Sequence, residues 1–139
     1  MKRILPIVVL LLLAACRAPS GEDVPVSDNH PPSPGSTIPP GWVEGQAFVD
    51  GAQLVVMESF PIQVAVAIEG SLPTPCHQAG WEVATVGERI DVRLFSVADP
   101  EAVCAQVLQP FQQSVPLGSF ESGTFEVWLN GERVGDFSA

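Results

Sequence analysis

Ile62-Gln63-Val64-Ala65-Val66-Ala67-Ile68-Glu69 decides the fold. Ile62, Val64, Val66 and Ile68 share one face of an extended chain, with Gln63 and Glu69 on the other, whereas a helix would scatter them around its circumference. The same period returns in Ile90, Val92 and Leu94 against Asp91 and Arg93, and in Phe125, Val127 and Leu129 against Glu126. Strands patterned this way are buried on one side and wet on the other, as in antiparallel sheets. Residues 52–57, 81–86, 115–120 and 132–137 add further extended stretches, and helical periodicity is almost absent. The expectation is an all-β chain: a single antiparallel β-sandwich of about seven strands over residues 42–139. That length suffices for one small domain with one core.

The C-terminal hairpin is legible residue by residue. Asn130-Gly131 is a two-residue turn of type I′, since both positions need positive φ. Leu129 then faces Glu132, Trp128 faces Arg133 and Val127 faces Val134. Continuing that register would bury Asp136 beside Phe125, a costly place for a carboxylate. A bulge at Gly135 is therefore expected, slipping the register by one and turning Phe137 inward. Trp128 and Arg133, both outward, are expected to form a cation–π pair.

The N-terminus has a different composition. Lys2 and Arg3 precede a ten-residue apolar stretch, 4–13, interrupted only by Pro6, and then Ala14, Ala15 and Cys16. Ten residues are too few to span a bilayer of about 30 Å. Leu13-Ala14-Ala15-Cys16 resembles the lipobox of bacterial lipoproteins. The resemblance implies that residues 1–15 are a signal peptide and that Cys16 becomes a lipidated N-terminus; an ordinary signal peptide cut near Ala15 is the alternative. Two or more acyl chains anchor stably where one does not. The expected location is the cell envelope, with the membrane a partner through the lipid and the domain facing the periplasm or the outside.

Residues 17–41 contain seven prolines in twenty-five, with few large apolar groups. Such a segment buries too little surface to offset ordering, so 16–41 read as a lipidated cysteine and disordered tether reaching at most about 75 Å. The first fifteen residues hold both Lys2 and Arg3 and no acid, so the mature chain opposes four arginines with sixteen acids, a formal −12. This charge argues against nucleic acid as a partner.

Once Cys16 is assigned to lipid, Cys76 and Cys104 remain. The simplest reading is one disulfide in an oxidising compartment. The competing reading joins Cys76, His77 and Cys104 in a metal site, which wants three or four converging ligands; the mature chain offers only His77 and His30 as imidazoles. No metal and no cofactor are expected. Asp99-Pro100-Glu101-Ala102 has Asp at an N-cap and Pro at N1, predicting a short helical turn that carries Cys104 and is stopped by Pro110.

Residues 117–127 resemble the corner before the penultimate strand of immunoglobulin-like and fibronectin type III-like domains, with Phe125 where those families usually carry Tyr. More broadly, Gly70-Ser71-Leu72-Pro73-Thr74-Pro75-Cys76-His77, Cys104, Pro110-Phe111, Val115-Pro116-Leu117-Gly118 and Asn130-Gly131 resemble a group of small uncharacterised bacterial envelope proteins. That resemblance implies a fold and a disulfide, and no activity.

For catalysis the chain offers no Gly-x-Ser-x-Gly, no phosphate-cradling loop and no imidazole clearly beside a nucleophile. The expected function is non-enzymatic: a membrane-anchored binding or structural module for an envelope protein or polymer, with Trp128, Arg133 and His77 as candidate binding residues. The alternative is an envelope protease inhibitor presenting rigid loops at 72–78 and 116–123. Oligomeric state is open at this stage.

Overall fold

The computed structural model describes residues 37–139. The leader, Cys16 and most of the tether, including His30, lie outside the described residues. Eight strands follow in order: β1 (Val43–Gly45), β2 (Phe48–Met57), β3 (Ile62–Leu72), β4 (Gln78–Val86), β5 (Arg89–Ala98), β6 (Gln109–Phe120), β7 (Thr124–Leu129) and β8 (Glu132–Ser138). They form two sheets. One carries β2, β3 and β6, with β3 central; in the other, β4 lines one side of β5 while β1 and β7 share its opposite side, and β8 extends β7. The all-β sandwich read from the alternation is thus the fold.

Its inner faces are the residues that carried the pattern. Val64, Val66 and Ile68 from β3 meet Ile90, Val92 and Leu94 from β5 and Val127 and Leu129 from β7, all buried, with Val115 and Leu117 from β6. Ser96, fully buried at the end of this row, is satisfied by donating to the Gln46 carbonyl at 2.9 Å. Phe120, Phe125 and Phe137 close one end, with ring centroids 4.8–5.3 Å apart. Such contacts between rings contribute about 0.5–1.5 kcal/mol each beyond burial.

Several local expectations are corrected. The additional strand is β1, three residues clipped onto the C-terminal half of β5. One pair is parallel: β7 runs alongside β5, matching Arg89 with Glu126 and Asp91 with Trp128. The bulge in β8 is present but one residue earlier than expected: Val127 faces Gly135, so Val134 is the extra residue. The slip still turns Phe137 inward and leaves Asp136 outside. Its early placement is matched by packing, since Leu54 of the opposite sheet comes so close to Gly135 that a Cβ there would meet its Cδ1 at 3.1 Å.

No helix forms at Asp99. Its side chain does cap, accepting from the Glu101 N–H at 2.9 Å, and Ala102 N–H bonds back to the Asp99 carbonyl at 3.1 Å, but the turn ends there. Without a following run of apolar residues at helical spacing, a single capped turn has nothing to propagate it. Pro110 is not a terminator but the second residue of β6. Both Pro110 and Pro116 are tolerated because β6 is an edge strand, where a missing N–H need not break the ladder.

Candidate functional site

The outer face of the five-stranded sheet gathers all three arginines of the described residues. On β5, the positions opposite Ile90, Val92 and Leu94 are Arg89, Asp91, Arg93 and Phe95. Arg93 reaches across two neighbours at once: its Nε donates to Glu82 of β4 at 3.0 Å, and its terminal nitrogens donate to Glu44 of β1. The same guanidinium lies 4.4 Å from the centroid of Phe95. Phe95 is only 3% exposed although its strand position points outward, because its ring lies across Gly80 on β4; a Cβ at Gly80 would meet that ring at 2.4 Å. Arg93 is therefore a clasp over an aromatic plug, joining three strands.

Arg89 repeats the motif four residues earlier on β5. It grips Asp91 through two nitrogens at 2.7–3.0 Å and lies 4.3 Å from the centroid of Trp128 on β7. The expected cation–π partner of Trp128 was Arg133; the structure assigns Arg89 instead. Arg133 does stand opposite Trp128 in the hairpin, but it turns to Asp136 at 2.6 Å and Glu126 at 3.5 Å. Two carboxylates outcompete one ring for an exposed guanidinium, since a charge-assisted bond is stronger than an exposed cation–π contact of about 0.5–1 kcal/mol. The Trp128 Nε1 is buried with no hydrogen-bond partner among the described residues. Trp128 is thus half-buried with a cation over its ring.

These pairs set the electrostatics. Its hydrogen bonds to Arg89 hold the Asp91 carboxyl below the usual carboxylate range, and the bond from Arg93 does the same for Glu82. Arg93 and Arg89 are in turn raised, chiefly by the same hydrogen bonds. Because the pairs are exposed, water screens them and they add little to stability. Chemically, this is a face whose cations are already neutralised.

His77 belongs elsewhere. Its Nδ1 is 2.8 Å from the hydroxyl of Thr74, which is buried and also accepts from the Cys76 N–H at 3.3 Å; the His77 N–H closes the turn onto the Thr74 carbonyl at 3.1 Å. This turn presents Cys76 to Cys104, with Cα atoms 6.1 Å apart in the disulfide. The pairing read from the two cysteines is thus present, and His77 is its strut. The turn leads into β4, whose Gln78 pairs with Val97, six residues along β5 from Asp91, so His77 stands at least about 20 Å from Trp128. Among the described residues, no group of three or more His, Cys, Asp or Glu is arranged to hold a metal ion.

Sequence reasoning placed Trp128, Arg133 and the acid Glu82 on this face and missed Arg89 and Glu44 as members of it. Alternation shows Asp91 and Arg93 to be outward. It carries no sign that Glu44, forty-nine residues away, would be the neighbour of Arg93.

Comparison with known proteins finds two matches. A protein of Herpetosiphon aurantiacus described as an uncharacterized 10.2 kDa protein in the HgiCIIM 5′ region is 26% identical over 87 residues, covering 60% of this chain and 90% of that relative. No solved structure matches. The ORF11 beta-sandwich domain family matches residues 66–139, from the middle of β3 through β8 and including both disulfide cysteines and the Asn130-Gly131 turn. The chain belongs to the ORF11 beta-sandwich domain family.

Proposed function

We propose that this protein is a lipid-anchored, non-enzymatic module of the bacterial cell envelope, a sandwich held off the membrane by a proline-rich tether to engage another envelope component. The observation that carries the reading is Leu13-Ala14-Ala15-Cys16 behind a short basic and apolar leader. A disulfide between Cys76 and Cys104 is in keeping with an oxidising compartment. The non-enzymatic part is supported by His77, whose Nδ1 is engaged by the hydroxyl of Thr74, a buried group that also accepts from the Cys76 N–H within the disulfide turn.

The inhibitor reading is less well supported. Residues 116–120 lie within β6, leaving only a short turn before β7, and the 72–78 segment is folded back on Thr74. Most of both segments is thus taken up by strand or by the turn's own hydrogen bonds.

Metabolic labelling with a radioactive fatty acid tests the anchor. The full-length chain takes up label and fractionates with membranes, and Cys16→Ser loses both. Retention of label or membrane association by Cys16→Ser would overturn the proposal.

A further inference from the structure

We infer that β2 is a pairing edge through which two copies of this chain join antiparallel, with Val55 at the twofold axis. The inference rests on how unequally the sandwich protects its edges. An edge strand exposes unpaired N–H and C=O groups, and natural sheets blunt such edges with charge, proline, bulges or brevity. β1 is three residues long. β8 has the bulge at Val134 and carries Glu132, Arg133 and Asp136 in seven residues. β6 has two prolines and a bulge, since Val64 faces Gly118 while Ala65 faces Pro116. β4 carries Glu82 at its centre. β2 divides in two: its first half is broken by a bulge at Asp50, between the Val49 and Gly51 pairings. Its second half, Ala52-Gln53-Leu54-Val55-Val56-Met57, has none of these devices and matches β3 residue for residue, from Ile68 to Gln63.

The side chains of this half are those of a surface not yet covered. Val55, Val56 and Met57 are 39%, 45% and 44% exposed. Val56 stands opposite buried Val64 and therefore points to the core side, yet it is half open. Residues directly opposite in an antiparallel pair point to the same side of the sheet, so a twofold pairing must match residues of like parity. Centring on Val55 places Val55 against itself, Leu54 against Val56 and Gln53 against Met57 of the second copy. Val56 then gains an apolar neighbour on the core side.

Charge sets where on the surface a second copy can pair. The mature chain is strongly acidic, so most surfaces of one copy repel those of another. Residues 52–57 carry no ionisable group, and in this register Glu58 falls opposite Ala52 of the second copy, so no acid faces an acid. The chain's own tether, with seven prolines in residues 17–41, is a poor strand donor. Edge pairing of six residues is smaller than a standard interface of about 1,200–2,000 Å², so association is weak in dilute solution and favoured where copies are concentrated.

The test is cysteine cross-linking of the full-length chain. Opposed Cβ atoms about 4.5–5.5 Å apart lie near disulfide reach, so Val55→Cys forms a covalent dimer on oxidation in phosphatidylcholine vesicles. Ser114→Cys, on the proline-guarded edge, and the unsubstituted chain remain at least about tenfold less cross-linked. Val55→Glu opposes two carboxylates at the axis, and sedimentation of this variant then shows a smaller dimer fraction than the unsubstituted chain at equal concentration. Equal cross-linking of Val55→Cys and Ser114→Cys, or an unchanged dimer fraction in Val55→Glu, would overturn the inference. Intact mass of the same samples reads lipid on Cys16 separately; should it be absent, the oxidation is done in concentrated solution and β2 pairing is judged there.

Discussion

Asn130 performs two tasks. Its φ of 49° supplies the left-handed conformation that the turn requires, which glycine would supply equally well. Its side chain also continues the parallel ladder where β7 ends: Oδ1 accepts from the Leu94 N–H at 2.8 Å, Nδ2 donates to the Leu94 carbonyl at 3.1 Å, and the Asn130 N–H donates to Val92 at 2.9 Å. The amide thus stands in for one more residue of backbone beside β5. Asn130→Gly should therefore destabilise the domain by about 1–3 kcal/mol, because it keeps the turn but strands two backbone groups of Leu94. Thermal melting checks this; for about 100 residues the shift is roughly 4–8 °C per kcal/mol. An unchanged midpoint would mean that water replaces the amide. The turn was legible in Asn130-Gly131, since positive φ is a local property. The bonds to Leu94 were not, because no pattern in residues 125–134 names the strand beside them.

At the scale of the element, the disulfide and the bulge show how much of a strand's fate is set by its partners. The segment between β5 and β6 has little to hold it: Val103, Val107 and Leu108 are 57–100% exposed. What fixes it is the bridge from Cys104 to the Thr74–His77 turn, closing a separation of 28 residues. Replacing both cysteines by alanine should cost about 3–4 kcal/mol in the chain-entropy account. Chemical denaturation reads this as a lower midpoint, with the sheets retained in the circular dichroism of the folded state. The pairing was legible because Cys76 and Cys104 are the two cysteines within residues 42–139. The role of His77 as a strut was not, since a histidine beside a cysteine reads equally as a ligand. The bulge was anticipated from the cost of burying Asp136. Its position at Val134 depended on Leu54 of the other sheet.

At the scale of the whole molecule, charge is segregated. The three described arginines and their five carboxylate partners occupy one outer face, while Asp50, Glu58, Glu69, Glu88, Asp99, Glu101, Glu121 and Glu132 make no ion pair among those found. Asp91 and Glu82 have carboxyls held low by Arg89 and Arg93. A depressed folded value contributes stability above the ordinary carboxylate range near about pH 4, and loses it as pH falls through the lowered value. Thermal stability should accordingly hold from neutral pH to about 5 and drop below about 4. In Asp91→Asn combined with Glu82→Gln the acid drop should be shallower; an identical acid limb would show that other groups control it.

By itself the sequence determined the layers. Alternation at Ile62–Ile68, 90–94 and 125–129 assigns each side chain to a face, and burial of one face against another follows from the hydrophobic effect alone. Only the tertiary structure decided who stands beside whom: β7 entering parallel to β5, β1 sharing that side, Arg89 rather than Arg133 over Trp128, and β2 left as the unguarded edge. The physical reason is that a period of two encodes direction but not neighbour. Neighbours are chosen by how the whole core closes.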